Sequence, residues 1–293
     1  MSQPKPMGVI YALLAYASWG LLPVYWKQLQ AVSPIEILCH RIIWSLVFLG
    51  AIVLWQRQGN SIRELLGQPK RVATLLGTAL ILSVNWGTFI YAINSNQVVQ
   101  SGLGYYINPL VNVLVGCVFL REPLTRWQGV AVGLATLGVL NFVVQLGIVP
   151  WLSLALAFSF ASYALIRKLT PVAPIQGLVV ETALITPLAL AVLAYLAQDT
   201  PPGFGRSPLL TGLLMGAGII TAMPLIWFNH AAQRLPFSTL GFLQYIGPSL
   251  QLGLGVLVYG EPFTAAHGVT FGLIWTGLAI YTRSLWQGPP KLS

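Results

Sequence analysis

Charge is what this chain has least of. Of its 293 residues, 7% are Asp, Glu, Lys or Arg, against about 25% in a typical soluble domain. That scarcity excludes an ordinary water-soluble globular fold. Acidic groups number six, and no two stand at a spacing that would hold a metal ion or divide acid and base roles. His-Glu-x-x-His, Gly-x-Ser-x-Gly and a phosphate-binding glycine loop are all missing, so no enzyme chemistry, cofactor or metal is expected. Both cysteines, Cys39 and Cys117, fall in apolar runs and read as small packing residues. The net charge of +9 does not point to nucleic acid. The basic residues gather on no single face and lie in the short segments between apolar runs, where membrane proteins keep them.

What is present is hydrophobic length. Apolar residues make up 56% of the chain, in runs of about 18 residues or more, enough to cross a hydrocarbon core of roughly 30 Å. The pattern predicts an all-α polytopic membrane protein with ten transmembrane helices, at about 7–26, 34–55, 72–94, 98–120, 126–146, 149–168, 175–197, 208–230, 237–259 and 265–285. Prolines mark most joints, and 56–71 has room for a short interfacial helix. Ala15-Tyr16-Ala17 formally fits a cleavage site, but the first apolar stretch continues to Trp26 and reads as a retained helix. With the N-terminus inside, one side collects Lys5, Arg57, Arg63, Lys70, Arg71, Arg121, Arg126, Arg167, Lys168, Arg234, Arg283 and Lys291. The other side receives Lys27 and Arg206, and Arg41 stays within a span. The expectation is a multi-pass protein of the inner (plasma) membrane with both termini cytoplasmic.

Two stretches read as one element written twice. Residues 102–140 lie on 241–279 without a gap: Tyr106-Ile107-x-Pro109 on Tyr245-Ile246-x-Pro248, and Glu122-Pro123-x-Thr125 on Glu261-Pro262-x-Thr264. Arg121 and Arg126 become Gly260 and Ala265 in the second copy, as expected if that copy lies upside down. Five spans per half force the same inversion. The domain expectation is therefore residues 1–146 as one five-helix repeat and 147–293 as a second, inverted one, the arrangement of many secondary transporters.

Polar residues inside spans carry the functional signal, because burying them without a partner is costly. Tyr105, Asn108 and Asn112 share a face of span four, and their repeat equivalents in span nine are Gln244, Gly247 and Gln251. They are candidate walls of a central cavity, joined by Tyr245 and by Asn85 and Trp86 of span three. The alternative reading is that these amides bond neighbouring helices. In span two, Glu36 and His40 can touch, and Arg41 lies about 10 Å into the span at 1.5 Å per residue. Its repeat equivalent is Glu181. Either the two form a structural ion pair, or Arg41 receives an anionic substrate group and Glu181 carries a coupling proton. Glu122 and Glu261 are expected to favour the starts of spans five and ten. Gly129-x-x-x-Gly133 and Gly268-x-x-x-Gly272 are expected to pack those two spans together, a homodimer face being the alternative.

Together the segments Ser18-Trp19-Gly20-Leu21-Leu22-Pro23, Pro34-x-Glu36-Ile37-Leu38-x-His40-Arg41, Asn85-Trp86-Gly87, Leu103-Gly104-Tyr105-Tyr106-Ile107-Asn108-Pro109, Glu181-Thr182 and Leu240-Gly241-x-x-Gln244-Tyr245 resemble the EamA branch of the drug/metabolite transporter superfamily, most closely its RarD group. The resemblance spans nearly the whole chain and departs at Gly247, where a bulkier residue is expected. It implies ten helices in two inverted halves and export of small metabolites or drugs by alternating access. An amide-rich, aromatic cavity with one Arg suits an amphipathic, amino-acid-like solute. The expected partners are that solute and the lipid bilayer, with monomer and homodimer both open. A channel and a non-transporting membrane scaffold are the alternatives. No charged ring or carbonyl filter supports the former.

Overall fold

In the computed structural model, which describes residues 6–94, 98–147, 151–199, 201–260 and 265–286, the chain is all-helical among the described residues. The helices are α1 (Pro6–Trp26), α2 (Pro34–Trp55), α3 (Gly59–Leu66), α4 (Pro69–Asn94), α5 (Val98–Phe119) and α6 (Arg126–Leu146). They continue with α7 (Trp151–Leu169), α8 (Pro174–Asp199), α9 (Pro208–Ala232), α10 (Phe237–Leu243), α11 (Ile246–Gly253) and α12 (Ala265–Trp286). Eight stretches among the described residues are long and apolar enough to cross a membrane: Pro6–Leu29, Pro34–Trp55, Pro69–Phe89, Arg126–Gln145, Trp151–Leu169, Pro174–Gln198, Pro208–Ala232 and Phe237–Val258. The remaining two of the ten expected spans correspond to α5, whose shorter apolar portion is Gly104–Phe119, and to α12. α3 occupies the segment set aside for an interfacial helix. Span nine is not one helix: α10 and α11 meet at Gln244–Tyr245, and a π-turn, Leu254–Val258, follows.

Local chemistry sets the helix starts. Proline stands at the first helical position of α2 and α9, where its missing N–H costs nothing. Ser33 and Ser207 cap those helices by accepting from Glu36 N and Leu210 N. Thr125 and Gln128 form a reciprocal capping box on α6. The packing then inverts the habit of soluble proteins. Ala12, Ala15, Ala131, Ala135, Ala157, Ala164 and Ala231 are fully buried, while Leu54, Trp55, Leu137, Val144 and Leu209 keep half or more of their surface outside. Small residues let helix backbones approach, and large apolar ones face outward, as lipid requires.

The joints sort into two ends. At the end rich in basic joints, Gly8 packs on Leu235, and Lys168 Nζ donates to Ala232 O at 2.9 Å. At the opposite end, Lys27 Nζ sits over the Tyr259 ring at 3.0 Å. Two positions matched in the internal alignment, Arg121 and Gly260, both turn left-handed, with φ of 52° and 68°.

Helices α6 and α12 pack together as expected, but not through the paired glycine motifs. Gly129, Gly133 and Gly272 have open space where a Cβ would stand. The contact instead runs through Gly138 and Gly277. A Cβ on Gly138 would lie 2.9 Å from Thr270 O, and one on Gly277 would lie 2.8 Å from Ala131 O. Thr270 and Ala131 are themselves a matched pair, so the contact is reciprocal. The four-residue spacing exists, but on a face turned away from the partner helix. Gly138→Leu or Gly277→Leu should therefore cost about 1–3 kcal/mol through overpacking, whereas Gly133→Ala should stay within about 0.5 kcal/mol. Thermal unfolding in detergent micelles checks the ranking.

Candidate substrate-binding site

Three ionisable groups stand on the first two turns of α2, and each has a different surrounding. The carboxylate of Glu36 reaches the joint between α8 and α9, accepting from Gly203 N at 2.7 Å and Phe204 N at 3.3 Å. A Cβ at position 203 would lie 2.8 Å from Val32 Cγ2, so this approach needs glycine. Phe204 stacks on His40 at 5.0 Å and on Trp44 at 6.1 Å between ring centres. His40 also stands 3.9 Å from Glu36, as its spacing of four residues predicts.

Arg41 points inward. Its Nε donates to Thr221 Oγ1 at 3.0 Å, and its guanidinium lies over the rings of Trp26 at 4.9 Å and Trp86 at 5.4 Å. A guanidinium offers five N–H donors. No carboxylate of the described residues pairs with this one. Tyr105 lies within its electrostatic reach. Tyr105 keeps 41% of its surface free and meets Phe89 edge-on at 6.5 Å between ring centres. Arg41 is half-buried. Arg41, held among α1, α4 and α9 and only partly covered, therefore borders a crevice between helices rather than lipid.

Glu181 does not pair with Arg41. Its partner is Arg167, 3.5 Å away and completely buried in the last turn of α7. The sequence placed Arg167 among the solvated basic joints. The structure corrects that, and Gly177 of α8 supplies the reason, since a Cβ there would fall on the Arg167 guanidinium. Further bonds extend the network: Thr78 donates to Glu181 Oε1 at 2.6 Å, Arg167 Nε to Asn229 Oδ1 at 3.1 Å, and Asn229 Nδ2 to Tyr163 Oη at 3.2 Å. The Tyr163 hydroxyl faces the other carboxylate oxygen at 3.5 Å.

Between Arg41 and Glu181 lies a cavity of about 30 Å³ whose walls include Ser45, Trp86, Glu181, Thr182 and Thr221. It draws on α2, α4, α8 and α9. Its size suits a water or two and not an organic solute.

The amides divide. Asn112 Nδ2 donates to Gln244 Oε1 at 2.7 Å, so two expected site residues do meet, but in a buried contact between α5 and the α10–α11 break. Asn85 ties α4 to α7 through Leu156 O at 2.9 Å and Ser159 Oγ at 2.8 Å, and Gln251 donates to Trp19 O at 3.3 Å. Asn108 and Tyr245 are buried, each with a side-chain oxygen that has no protein partner. Arg41 and Trp86 thus border the crevice, whereas Asn85, Asn112, Gln244 and Gln251 bond helix to helix. Trp26, Thr221, Phe204 and Arg167 were missed. Trp26 ends its span like any interfacial tryptophan, and a lone threonine in an apolar run carries no signal.

Comparison with known proteins agrees with this architecture. A family model described as the EamA-like transporter family matches residues 6–144. An uncharacterized transporter of Vibrio cholerae is 45% identical over 282 residues, covering 96% of this chain and 93% of its own. Protein RarD of Escherichia coli is 42% identical over 275 residues, covering 94% and 93%. One crystal structure superposes with a TM-score of 0.73 at 20% identity, over 95% of this chain and 98% of that one, a likeness of fold.

The buried pair makes a stability prediction. Arg167→Met alone should cost about 3–5 kcal/mol by stranding Glu181, and adding Glu181→Leu should recover most of it. Thermal melts followed by fluorescence-detected size exclusion read both variants.

Proposed function

The chain belongs to the RarD group of the EamA branch of the drug/metabolite transporters, and we propose that it exports small amphipathic, amino-acid-like solutes across the inner membrane by alternating access. It is a membrane transporter of the drug/metabolite kind. The proposal extends to ten spans in two inverted halves, with both termini and the basic end of the bundle in the cytoplasm. The reciprocal Gly138 and Gly277 contacts and the matched left-handed turns at Arg121 and Gly260 support the two halves. The basic joints support the orientation.

One observation carries the substrate reading: Arg41 faces an internal crevice with donors to spare. An arginine in lipid needs an anion, and it cannot shed its charge. Glu181 is already held by Arg167, which leaves the place beside Arg41 for a ligand. Trp26, Trp86 and Tyr105 surround it with aromatic surface. A carboxylate on the guanidinium, with an apolar body against those rings, satisfies both features. Glu181, on the wall of the adjoining cavity, is the group to carry a coupling proton, and protonating it would release Arg167.

The purified protein tests this reading. Amino acids and other carboxylated aromatic solutes should raise its melting temperature, and their methyl esters should not. Arg41→Gln should abolish that shift and lower proteoliposome flux at least about tenfold, because a charge-assisted bond contributes about 1.5–3 kcal/mol. Wild-type flux of a carboxylated solute through Arg41→Gln would refute the anchor.

A further inference from the structure

Glu122 was expected to favour the start of α6, but Thr125 caps that helix instead. The Glu122 carboxylate crosses to the second half of the chain. Its Oε1 accepts from Phe237 N at 2.6 Å, and its Oε2 accepts from Ser238 N and Ser238 Oγ, each at 2.8 Å. All three donors lie in the first turn of α10. Gly116 makes room for this contact, since a Cβ there would stand 2.9 Å from Glu122 Oε2 and 3.1 Å from Ser238 N.

What Glu122 holds is a separable piece. α10 has seven residues, all buried, and breaks from α11 at Gln244–Tyr245. Pro248 gives the physical reason, for it has no N–H and its ring crowds the carbonyl of Gln244. The chain tightens there into three-residue turns, Tyr245 N to Phe242 O at 3.2 Å and Gly247 N to Gln244 O at 3.1 Å. Such a break is a natural hinge. α10 lies tightly on α5, with the position of a Gly241 Cβ 2.7 Å from Pro109 O.

The matched segments of the two halves differ in burial. Gln244 is 6% exposed and its counterpart Tyr105 is 41% exposed. Tyr245 is fully buried and Tyr106 half-buried. α10, at the basic end, is covered along its whole length, whereas Tyr105 is partly exposed.

We propose that α10 is the gate of the basic end, that Gln244–Tyr245 is its hinge, and that Glu122 is the latch that holds it shut. This rests on the alternating-access reading above. The latch suits the task because it is strong when made and replaceable when broken. A carboxylate on three donors at the end of the bundle can exchange them for water at modest net cost. A buried pair such as Arg167–Glu181 cannot.

The test replaces Cys39 and Cys117 with alanine and places a reporter by Ser83→Cys, an isosteric change on the cavity wall. An impermeant, positively charged methanethiosulfonate is applied from one side or the other of proteoliposomes of known orientation. Glu122→Gln should raise labelling from the basic side about tenfold and lower it from the opposite side. If the basic-side rate does not change, the latch is refuted. A rise on the basic side with the opposite side unchanged upholds the latch and refutes alternating access, so the two failures are distinguishable. Equal rises from both sides mean general loosening and also refute the latch. Should Glu122→Gln not fold, Ser238→Ala removes one of the three donors and should give about a threefold rise on the basic side. No rise there refutes the proposal equally.

Discussion

Everything distinctive about this molecule follows from the distribution of six carboxyl groups among fifteen basic side chains in a chain built for lipid. Arg167 takes Glu181, and that single pairing leaves Arg41 without a carboxylate partner among the described residues. Had Glu181 reached Arg41, the inward-facing guanidinium would be neutralised. The choice of partner is made by backbone: Gly177 opens a slot for Arg167 beside α8, and Thr78 with Tyr163 closes around the carboxylate. A buried pair of this kind contributes little net stability, but it is costly to break from one side. It fixes where the charge is spent and where it is left over.

The other described carboxylates follow the same economy. Glu36 and Glu122 stand at opposite ends of the bundle, and each accepts backbone N–H groups from the second half of the chain. Glu64 stays exposed on α3. Backbone donors at a joint or a helix start attract a carboxylate without a counter-charge. The seam between the halves can therefore be tied by acidic groups without a counter-charge.

The fold was largely legible because its signals are long-range averages. Apolar runs and proline at helix starts draw on many residues, and the helices fall close to the expected spans. The site was legible only in part. Arg41 stood out because a charge in an apolar run must explain itself. Its partner could not be read, because Arg167 lies so near a helix end that it looks like any solvated joint residue. Depth there depends on how α7 and α8 pack, which no local pattern records. The paired glycines failed for a related reason. Spacing says that two glycines share a face, and only the tertiary rotation of α6 decides whether that face meets α12. The amides show the same limit. Helical spacing put Asn108 and Asn112 on one face, but whether an amide meets water or another amide depends on a helix from the other half.

The departure at Gly247 now has a physical sense. α1 passes close by, with the position of a Gly20 Cβ 3.0 Å from Gly247 O, and its counterpart in α5 is the bulkier Asn108. Both copies carry proline one residue later, yet α5 runs through Pro109 as one helix while the second copy breaks before Pro248. The same proline therefore permits two backbone courses, and the packing around it selects one. Glycine at 247 lowers the cost of the bent course, and Asn112 on Gln244 stabilises it from the facing helix. Two stretches of matched sequence are thus held in different conformations within one chain, one as a continuous helix and the other broken before its proline.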